Sequence, residues 1–297
     1  MSQQREYIQI KQPGGYDALS VMHGPIPTPG ANEVVIACHA SGVNYADGII
    51  RMGLYASAKA LHGYPITPGF EVAGVIQAVG EAVNNWAVGD EVIALTLFNG
   101  YTSHLCVDAQ NIFQKPKNID FVEAAGIPTV FLTAWWMVHR QLHPKADETW
   151  LVHSAAGGVG SALCQIGKLA GARVIGVVGS PHKVAHAKAM GADEVIVRSY
   201  GNLWALAAKL SPQGYQAIFD ANGVSTLKQS YEHLAPTGRV VVYGFASMLP
   251  KNGRLNWLKL AIDWWRTPRF NPMKMTQENR SVLATNLSFL QSHAPSL

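Results

Sequence analysis

The chain has 297 residues, of which 48% are apolar and 14% are charged, with a formal net charge of +4. This length accommodates two domains with separate hydrophobic cores. Lysines and arginines are scattered rather than clustered, which argues against nucleic acid as a partner. The three cysteines form no CxxC pair, Met1–Lys11 contains no apolar signal core, and no apolar run is long enough to cross a membrane. We therefore expect a cytoplasmic protein without disulfides.

The first part of the chain has the pattern of a β-rich domain. Short apolar runs separated by glycine and proline predict strands at Val34–Ala40, Val72–Val79, Asp90–Leu95 and Ser103–Val107. No helical period is sustained in this part. We assign residues 1–122 to this domain.

The pattern changes at Asp120, which pairs with Glu123 as a capping box before the helical stretch Ala124–Arg140, interrupted at Pro128. Strands and helices then alternate. The predicted strands are Trp150–Ser154, Arg173–Val178, Glu194–Val197, Ala217–Asp220, Arg239–Tyr243 and Val282–Leu290, and the helices are Val159–Ala170, Pro181–Met190, Leu203–Leu210 and Val224–Leu234. Apolar, β-branched strands between helices are typical of a parallel sheet covered on both faces. We predict an α/β fold with a doubly wound parallel sheet over residues 123–291.

A glycine-rich turn joins the first strand of this sheet to its first helix. The turn consists of Ala155, Ala156, Gly157, Gly158, Val159 and Gly160. Glycines let the backbone approach phosphate groups, and the helix N-terminus presents free amides to negative charge. Ala155 replaces the first glycine of the dinucleotide fingerprint, so the alternation that follows the turn carries the prediction of a Rossmann domain. His153, beside the turn, is interpreted as a packing residue.

The residues after the second strand of this sheet predict the choice of cofactor. Sites that prefer NAD place Asp or Glu there to bind the ribose 2′-hydroxyl. This chain instead has Ser180 and Lys183, which suit a 2′-phosphate, so we predict NADPH. In the structural alternative, Ser180 is a helix N-cap, Pro181 is the first helical residue and Lys183 is solvated. The two interpretations are compatible.

A tryptophan-rich segment, Leu255–Phe270, breaks the alternation. It combines Trp257, Trp264 and Trp265 with Lys259, Arg266 and Arg269. One explanation is a helix that covers a sheet edge or a partner subunit. The alternative is a membrane-surface helix, in which basic residues flank aromatic anchors. Asp263 and the short length limit the apolar face and favour the first explanation.

Motifs distributed over nearly the whole chain match a known family. They are Gly42–Asp47, Arg51–Tyr55, Pro68–Val75, Val88–Asp90, Leu132–Ala134, Ala155–Gly160 and Tyr243-Gly244, joined by Trp264-Trp265, Asn279-Arg280 and Asn286-Leu287. The chain resembles the zinc-free quinone oxidoreductases of the medium-chain dehydrogenase/reductase superfamily and, through the last three motifs, the vesicle amine transport protein group. The resemblance implies that the N-terminal domain is GroES-like and binds the substrate. It also implies a homodimer formed through the last strand.

The resemblance implies four residues near the reaction. It places Asn44, Asp47 and Tyr55 around the nicotinamide and the substrate, and Thr133 near the nicotinamide carboxamide. Asn44 and Tyr55 have the chemistry of donors to a substrate oxygen, whereas Asp47 is expected to orient Arg51 or a backbone group. In the structural alternative, Asn44 and Tyr55 only line the turn and the cleft wall.

The resemblance also implies cofactor-binding residues outside the glycine turn. Tyr200 matches a position beside the adenosine phosphates. Asn222, with Gly223, matches the ribose side, and Gly244 belongs to the last cofactor motif.

The positions that bind zinc in other members of the superfamily have changed. A Cys, a His and a Cys are replaced here by Asn44, Phe70 and Thr129, and the structural lobe with four cysteines is missing. We therefore expect no metal.

Two functions from different classes remain open. The first is an enzyme that transfers a hydride from NADPH to a quinone or an α,β-unsaturated carbonyl compound, which needs only orientation and hydrogen bonds to the developing oxyanion. The second is a lipid- or membrane-surface-binding protein that retains the nucleotide fold and makes weak contact through Trp257–Trp265.

The end of the chain departs from the family pattern. The family normally returns to complete the β-rich domain, whereas here a polar, atypical tail covers residues 292–297. We expect the C-terminal return segment to be absent and stability to be reduced, because open sheet edges and apolar surface would be exposed. A reductase inactivated by truncation is a third hypothesis.

Overall fold

The computed structural model describes residues 4–249 and 256–290. By its internal contacts the chain divides into an N-terminal unit that ends at Thr129 and a second unit that begins at Val130. The sequence-based boundary was at residue 122. The predicted tail, residues 292–297, lies outside the described residues.

The N-terminal unit is built on a five-stranded antiparallel sheet. Its strands are β3 (Glu33–Ser41), β4 (Glu71–Val79), β5 (Glu91–Leu95), β6 (His104–Asp108) and β7 (Ile112–Gln114), in the order β6-β3-β4-β5-β7. A separate antiparallel hairpin pairs β1 (Gln4–Ile10) with β2 (Leu19–Pro25). The four predicted strands are confirmed, because their apolar residues form the buried core of the larger sheet, among them Val34, Val72 and Val92. The hairpin and β7 were not predicted.

Three short helices lie in the N-terminal unit. They are α1 (Tyr45–Arg51), α2 (Ala56–Leu61) and α3 (Phe121–Ala125). The prediction of a capping box at Asp120 is confirmed, since its side chain accepts the Glu123 amide at 2.8 Å. The first two helices were missed because two turns are too short to show a helical period.

The second unit alternates strands and helices as predicted. After α4 (Pro128–Trp135) and a π-helical turn at Trp136–Leu142, the strands are β8 (Thr149–Val152), β9 (Arg173–Val178), β10 (Glu194–Val197), β11 (Tyr215–Asp220), β12 (Leu234–Val242) and β13 (Ser281–Ala284). The helices are α5 (Gly158–Leu169), α6 (Val184–Ala189), α7 (Leu203–Leu210), α8 (Leu227–Glu232), α9 (Trp257–Arg266) and α10 (Pro272–Glu278).

The six strands form one parallel sheet in the order β10-β9-β8-β11-β12-β13. Trp150 and Val152 pack in one apolar cluster with residues of α5 and α6, and Leu151 packs in a second cluster with residues of α7 and α8. Because successive side chains of a strand point to opposite faces, the sheet is covered on both faces. The predicted doubly wound fold is confirmed, and we refer to this part as the Rossmann unit.

The last predicted strand is shorter than expected. β13 ends at Ala284, and a 3-10 turn follows at Leu287–Phe289. The sequence Val282–Leu290 contains enough apolar residues for one strand, but Asn286 caps the turn by accepting the Ser288 amide at 3.1 Å. A local side-chain cap thus ends the extended run.

Candidate functional site

The glycine turn after β8 has the geometry of a phosphate-binding loop. Ser154 adopts the left-handed conformation, with φ of 55°, and its carbonyl accepts the Gly157 amide at 2.8 Å. A Cβ atom on Gly160 would lie 2.2 Å from that carbonyl oxygen, so only glycine fits. The chain therefore folds back tightly enough to start α5 directly above the strand.

Ala155 takes the place of the first fingerprint glycine without opening the turn. It is fully buried, and its amide donates to the Val177 carbonyl at 3.0 Å. Its methyl group lies 2.9 Å from the point where Gly176 would carry a Cβ atom. The neighbouring strand β9 thus accommodates the extra methyl group by having glycine opposite it.

The N-terminus of α5 is open to an anion. The first amides of a helix have no intrahelical acceptor, and the N-cap residue Gly157 has no side chain to accept them. Gly157 and Gly158 are exposed, and Ala156 and Val159 are half-buried. Backbone amides and the positive end of the helix dipole therefore face solvent where a pyrophosphate would bind.

The carboxyl end of β11 holds a second loop beside this turn. Asp220 is fully buried and accepts the amides of Asn222 at 2.8 Å and Gly223 at 3.0 Å, together with the hydroxyls of Thr226 and Ser230. These four donors fix the loop at the start of α8. Since β8 and β11 are adjacent, Asn222 lies next to the glycine turn, and the Ser154 hydroxyl approaches the Asn222 side-chain oxygen at 3.4 Å.

Gly244 and Gly223 pack where this loop meets the end of β12. A Cβ atom on Gly244 would lie 2.8 Å from the Ala221 carbonyl, and one on Gly223 would lie 2.4 Å from the Phe245 ring. The structure thus brings Asn222, Gly244 and the glycine turn together at the carboxyl ends of three adjacent strands.

His153 is a buried packing residue beside the glycine turn, in agreement with the packing interpretation. Its ring is fully buried, Nε2 lies 3.2 Å from the Ser230 hydroxyl, and the Trp204 ring meets it edge-on at 5.6 Å. Burial lowers the pKa of His153, the charge of Asp220 opposes that shift, and Arg198 adds to it. The side chain links the strand before the turn to the Asp220 group.

The three predicted residues on the adenosine side lie farther along the same edge of the sheet. Ser180, after β9, is the N-cap of a 3-10 turn that begins with Pro181, but its side chain makes no capping bond. Lys183 is exposed, and Tyr200, after β10, is 71% exposed. The structural alternative is thus correct that Ser180 occupies the N-cap position, but the Ser180 hydroxyl does not cap the turn.

Asp47 lies in the N-terminal unit and anchors three segments. Its carboxylate accepts the Asn44 amide at 2.8 Å, the Gly69 amide at 3.1 Å and the Tyr101 hydroxyl at 2.9 Å. Burial raises the pKa of Asp47, and these hydrogen bonds oppose the shift. Asp47 thus contacts backbone groups, the second of the two kinds of partner that were expected for it.

The expected alternative partner of Asp47, Arg51, is engaged elsewhere. The Arg51 guanidinium donates to the Gly14 carbonyl and lies 4.3 Å from the centre of the Tyr16 ring. The helix α1 therefore presents Asp47 and Arg51 to different neighbours.

Asn44 is held by a carboxylate that the sequence analysis did not single out. Its Nδ2 donates to Oε1 of Glu71 at 2.7 Å, and the Thr129 amide donates to Oε2 at 2.7 Å. Burial raises the pKa of Glu71, and the bonds from Thr129 and Asn44 oppose that shift. A charged residue at the start of the apolar run of β4 was the feature of the sequence that could have pointed to Glu71.

Tyr55 is the N-cap residue of α2 and packs against an aromatic ring. Its ring meets Phe70 edge-on at 6.0 Å, and Phe70 lies 5.8 Å from Phe98. Thr133, the remaining predicted residue, lies half-buried on α4 in the Rossmann unit. The N-terminal unit thus brings Asn44 and Asp47 into direct contact and places Tyr55 on the Phe70 ring.

The residues at the former zinc positions do not fit a zinc ion. They offer an amide that is bonded to Glu71, a phenyl ring and a threonine, where zinc prefers thiolates and imidazoles. Across residues 4–249 and 256–290, no group of three or more His, Cys, Asp or Glu could hold a metal ion.

The tryptophan-rich segment forms the predicted helix, α9, with its aromatic side chains outward. Trp257, Trp264 and Trp265 are 68%, 70% and 74% exposed, whereas Leu260 and Asp263 are half-buried. These tryptophans therefore do not themselves cover the sheet edge. In the described parts of the chain, no helix is both long enough and apolar enough to span a membrane.

Two known families match successive parts of the chain. The family described as "Alcohol dehydrogenase GroES-like domain" matches residues 30–147, and the family described as "Zinc-binding dehydrogenase" matches residues 158–287. The first match covers the antiparallel sheet and the second covers most of the parallel sheet.

Individual relatives match over most of the chain. The synaptic vesicle membrane protein VAT-1 homolog of Rattus norvegicus is 33% identical over 281 residues, which are 93% of this chain and 68% of that protein. The synaptic vesicle membrane protein VAT-1 homolog of Danio rerio is also 33% identical over 281 residues, which are 94% of this chain and 57% of that longer protein. The quinone oxidoreductase of Rattus norvegicus is 31% identical over 250 residues, covering 83% of this chain and 75% of that protein.

A solved structure extends the similarity to the backbone. The crystal structure of Escherichia coli quinone oxidoreductase complexed with NADPH has a TM-score of 0.81 and 26% identity, covering 98% of this chain and 86% of that chain. The similarity therefore includes a protein whose structure contains NADPH.

Proposed function

Because the chain belongs to the quinone oxidoreductase and VAT-1 group of the medium-chain dehydrogenase/reductase superfamily, we propose that it transfers a hydride from NADPH to a quinone or an α,β-unsaturated carbonyl compound. The observation that carries the proposal is the glycine turn with the open N-terminus of α5. The residues at the former zinc positions support a reaction without a metal. Substrates that are already electrophilic suit such a site.

The cofactor is held by the Rossmann unit in this proposal. The first amides of α5 bind the pyrophosphate, Asn222 binds on the ribose side, and Ser180 with Lys183 binds the 2′-phosphate. Tyr200 lies beside the adenosine phosphates and Thr133 orients the carboxamide. Bound NADPH supplies the hydride.

The substrate oxygen is held by the N-terminal unit. Asn44 donates one Nδ2 hydrogen to Glu71 and, in this proposal, donates its second Nδ2 hydrogen to the substrate oxygen. The hydroxyl of Tyr55 is a further donor. Such donors stabilise the negative charge that develops on the oxygen as the hydride arrives at the conjugated carbon. Asp47 holds the start of α1 through the three hydrogen bonds that its carboxylate accepts.

The preference for NADPH is tested by fluorescence titration with NADPH and NADH. Lys183→Ala removes a charge from the 2′-phosphate, so we expect NADPH binding to weaken about tenfold while NADH binding stays unchanged. Equal loss for both cofactors would contradict the assignment of Lys183. A folded wild-type protein that binds neither cofactor would overturn the reductase proposal.

The glycine turn is tested with a matched pair of glycine variants. Gly160→Ala forces a Cβ atom to within 2.2 Å of the Ser154 carbonyl, so we expect both cofactors to bind at least about tenfold more weakly. Gly48→Ala is the control, since its Cβ atom would meet nothing within 4 Å. Unchanged affinity in Gly160→Ala would show that the turn does not bind the cofactor.

The assembly that we propose is a cytoplasmic homodimer. β13 is the last strand of the parallel sheet and pairs with β12 on one side, and within residues 4–249 and 256–290 no strand pairs with its outer edge, which suits a second copy. A solution mass of twice the monomer mass, measured by light scattering, is the expected result. A monomer at micromolar concentration would contradict the proposal.

The exposed face of α9 favours a second candidate function, weak binding to a membrane surface. Trp257, Trp264 and Trp265 are exposed on a helix that also carries Lys259 and Arg266. In liposome sedimentation, we expect Trp264→Ser with Trp265→Ser to abolish binding, while Phe113→Ser, an exposed aromatic elsewhere, leaves it unchanged. If the wild-type protein does not sediment with liposomes, this function is excluded.

A further inference from the structure

Glu71 is a charged side chain in an apolar place. It is the first residue of β4, only 1% exposed, and the next two residues, Val72 and Ala73, are fully buried. A carboxylate in such surroundings is disfavoured unless donors satisfy both oxygens. Nothing in the proposed reaction requires a carboxylate there, so its presence needs another explanation.

Its donors come from two distant parts of the N-terminal unit. Oε1 accepts Nδ2 of Asn44, and Oε2 accepts the backbone amide of Thr129, both at 2.7 Å. Gly42 packs directly on the carboxylate, since a Cβ atom there would lie 2.3 Å from Oε1 and 2.4 Å from the Ala125 carbonyl. The carboxylate is therefore fixed on three sides.

This contact selects one orientation of the Asn44 amide. An amide has a donor end and an acceptor end, and a carboxylate accepts only from the donor end. Glu71 thus turns the Asn44 NH2 group toward itself and its carbonyl oxygen away. The main chain of Asn44 is fixed separately, because its amide donates to Asp47.

We propose that Glu71 is a positioning residue, which orients the Asn44 amide so that its second N–H can donate to the substrate oxygen. This inference rests on the proposed function of Asn44. Glu71 does not touch the substrate, and it acts only through Asn44. Without Glu71, the amide keeps its capping-box contact with the Asp47 amide but loses the acceptor on its NH2 side. Rotation that presents the carbonyl oxygen, which repels a developing oxyanion, is then less strongly opposed.

The main test is Glu71→Gln, which keeps the shape and replaces one acceptor oxygen by an NH2 group. The Thr129 amide belongs to the backbone, so it keeps the remaining oxygen, and the Asn44 side chain then faces a donor. We expect kcat to fall about 10–100-fold while the NADPH affinity stays unchanged. The matched control is Glu91→Gln, because Glu91 also starts a strand of this sheet but is exposed. This control should keep the wild-type kcat.

A double-mutant cycle separates positioning from general support of the fold. If Glu71 acts through Asn44, Glu71→Gln has no further effect on kcat in an Asn44→Ala background. A purely structural role predicts that the two losses multiply. Wild-type kcat in Glu71→Gln, or multiplied losses in the double variant, would overturn the proposal.

Nuclear magnetic resonance of the Asn44 side chain provides a readout that does not depend on activity. In the wild-type protein we expect the Nδ2 proton that is hydrogen-bonded to Glu71 to exchange with solvent much more slowly than the other Nδ2 proton. The two signals are assigned by their loss in Asn44→Ala. Equally fast exchange of both protons would overturn the proposal even if Glu71→Gln does not fold. If no quinone or enone is reduced by the wild-type protein, the reductase proposal fails, and the exchange rates alone decide whether Glu71 orients Asn44.

Discussion

The two units each contain a buried carboxylate whose oxygens are satisfied by hydrogen bonds, but the donors come from different distances along the chain. In the Rossmann unit, Asp220 accepts from residues two, three, six and ten positions later. In the N-terminal unit, Glu71 accepts from residues 27 and 58 positions away. The first group is one strand–loop–helix segment, whereas the second requires separate segments to be brought together.

The contrast shows how each unit positions its polar groups. In the Rossmann unit, a strand, a tight turn and a helix that follow one another in the chain place the open amides of α5. In the N-terminal unit, the contacts of Asn44 depend on the antiparallel pairing of β3 with β4, which brings the residues that follow β3 near the start of β4. Variants of the buried groups in the two units can test this contrast.

The largest effect is expected for Asp220→Ala. The variant leaves the amides of Asn222 and Gly223 and the hydroxyls of Thr226 and Ser230 without their buried acceptor. We expect the free energy of unfolding to fall by about 3–5 kcal/mol, measured by urea denaturation. Glu232→Ala is the control, since its surface pair with Lys228 at 3.9 Å contributes at most about 1 kcal/mol. A loss no larger than that of the control would mean that Asp220 does not organise the loop.

A smaller effect is expected for Tyr101→Phe in the N-terminal unit. Asp47 loses one of three donors and retains the amides of Asn44 and Gly69. Hydrogen bonds to charged groups contribute about 1.5–3 kcal/mol, so the free energy of unfolding should fall by that amount. Tyr16→Phe removes a hydroxyl from a ring that is 76% exposed and should change stability little. Equal stability of the two variants would show that the Tyr101 bond does not contribute.

The smallest effect is a pH dependence from His153. Burial lowers its pKa below the usual 6.5, so the unfolded chain binds more protons than the folded protein just below that pH. The stability contribution is complete above pH 6.5 and is lost as the pH falls toward the folded pKa, by about 1.4 kcal/mol per pH unit. We expect His153→Leu to flatten this slope in urea denaturation between pH 6.5 and 5. His182→Gln, at an exposed histidine, should keep the wild-type slope, and an unchanged slope in His153→Leu would contradict the assignment.

Much of the Rossmann unit could be predicted because its signals are local. The range Arg173–Val178 was predicted to the residue, and the glycine turn was identified from its spacing together with the alternation of strands and helices that follows it. The short helices α1 and α2 could not be predicted, since two turns show no period. The strand predicted at Val282–Leu290 exists but is shorter, because a cap at Asn286 overrides the apolar pattern after Ala284. The contact between Glu71 and Asn44 could not be predicted at all, because neither residue carries a sign of the other.

Residue types and spacing were enough to predict the alternation of strands and helices in the Rossmann unit, the open amides at the start of α5, the absence of a carboxylate near Ser180 and the replacement of thiolate and imidazole at the former zinc positions. These depend on residue identity and on spacing within a few turns of chain. Two contacts became known only from the folded chain: Asp47 accepts from Tyr101 rather than from Arg51, and Glu71 accepts from Asn44. Those contacts exist because strand pairing brings residues 27 to 54 positions apart within hydrogen-bond distance, and a hydrogen bond of this kind has no periodic trace in the sequence.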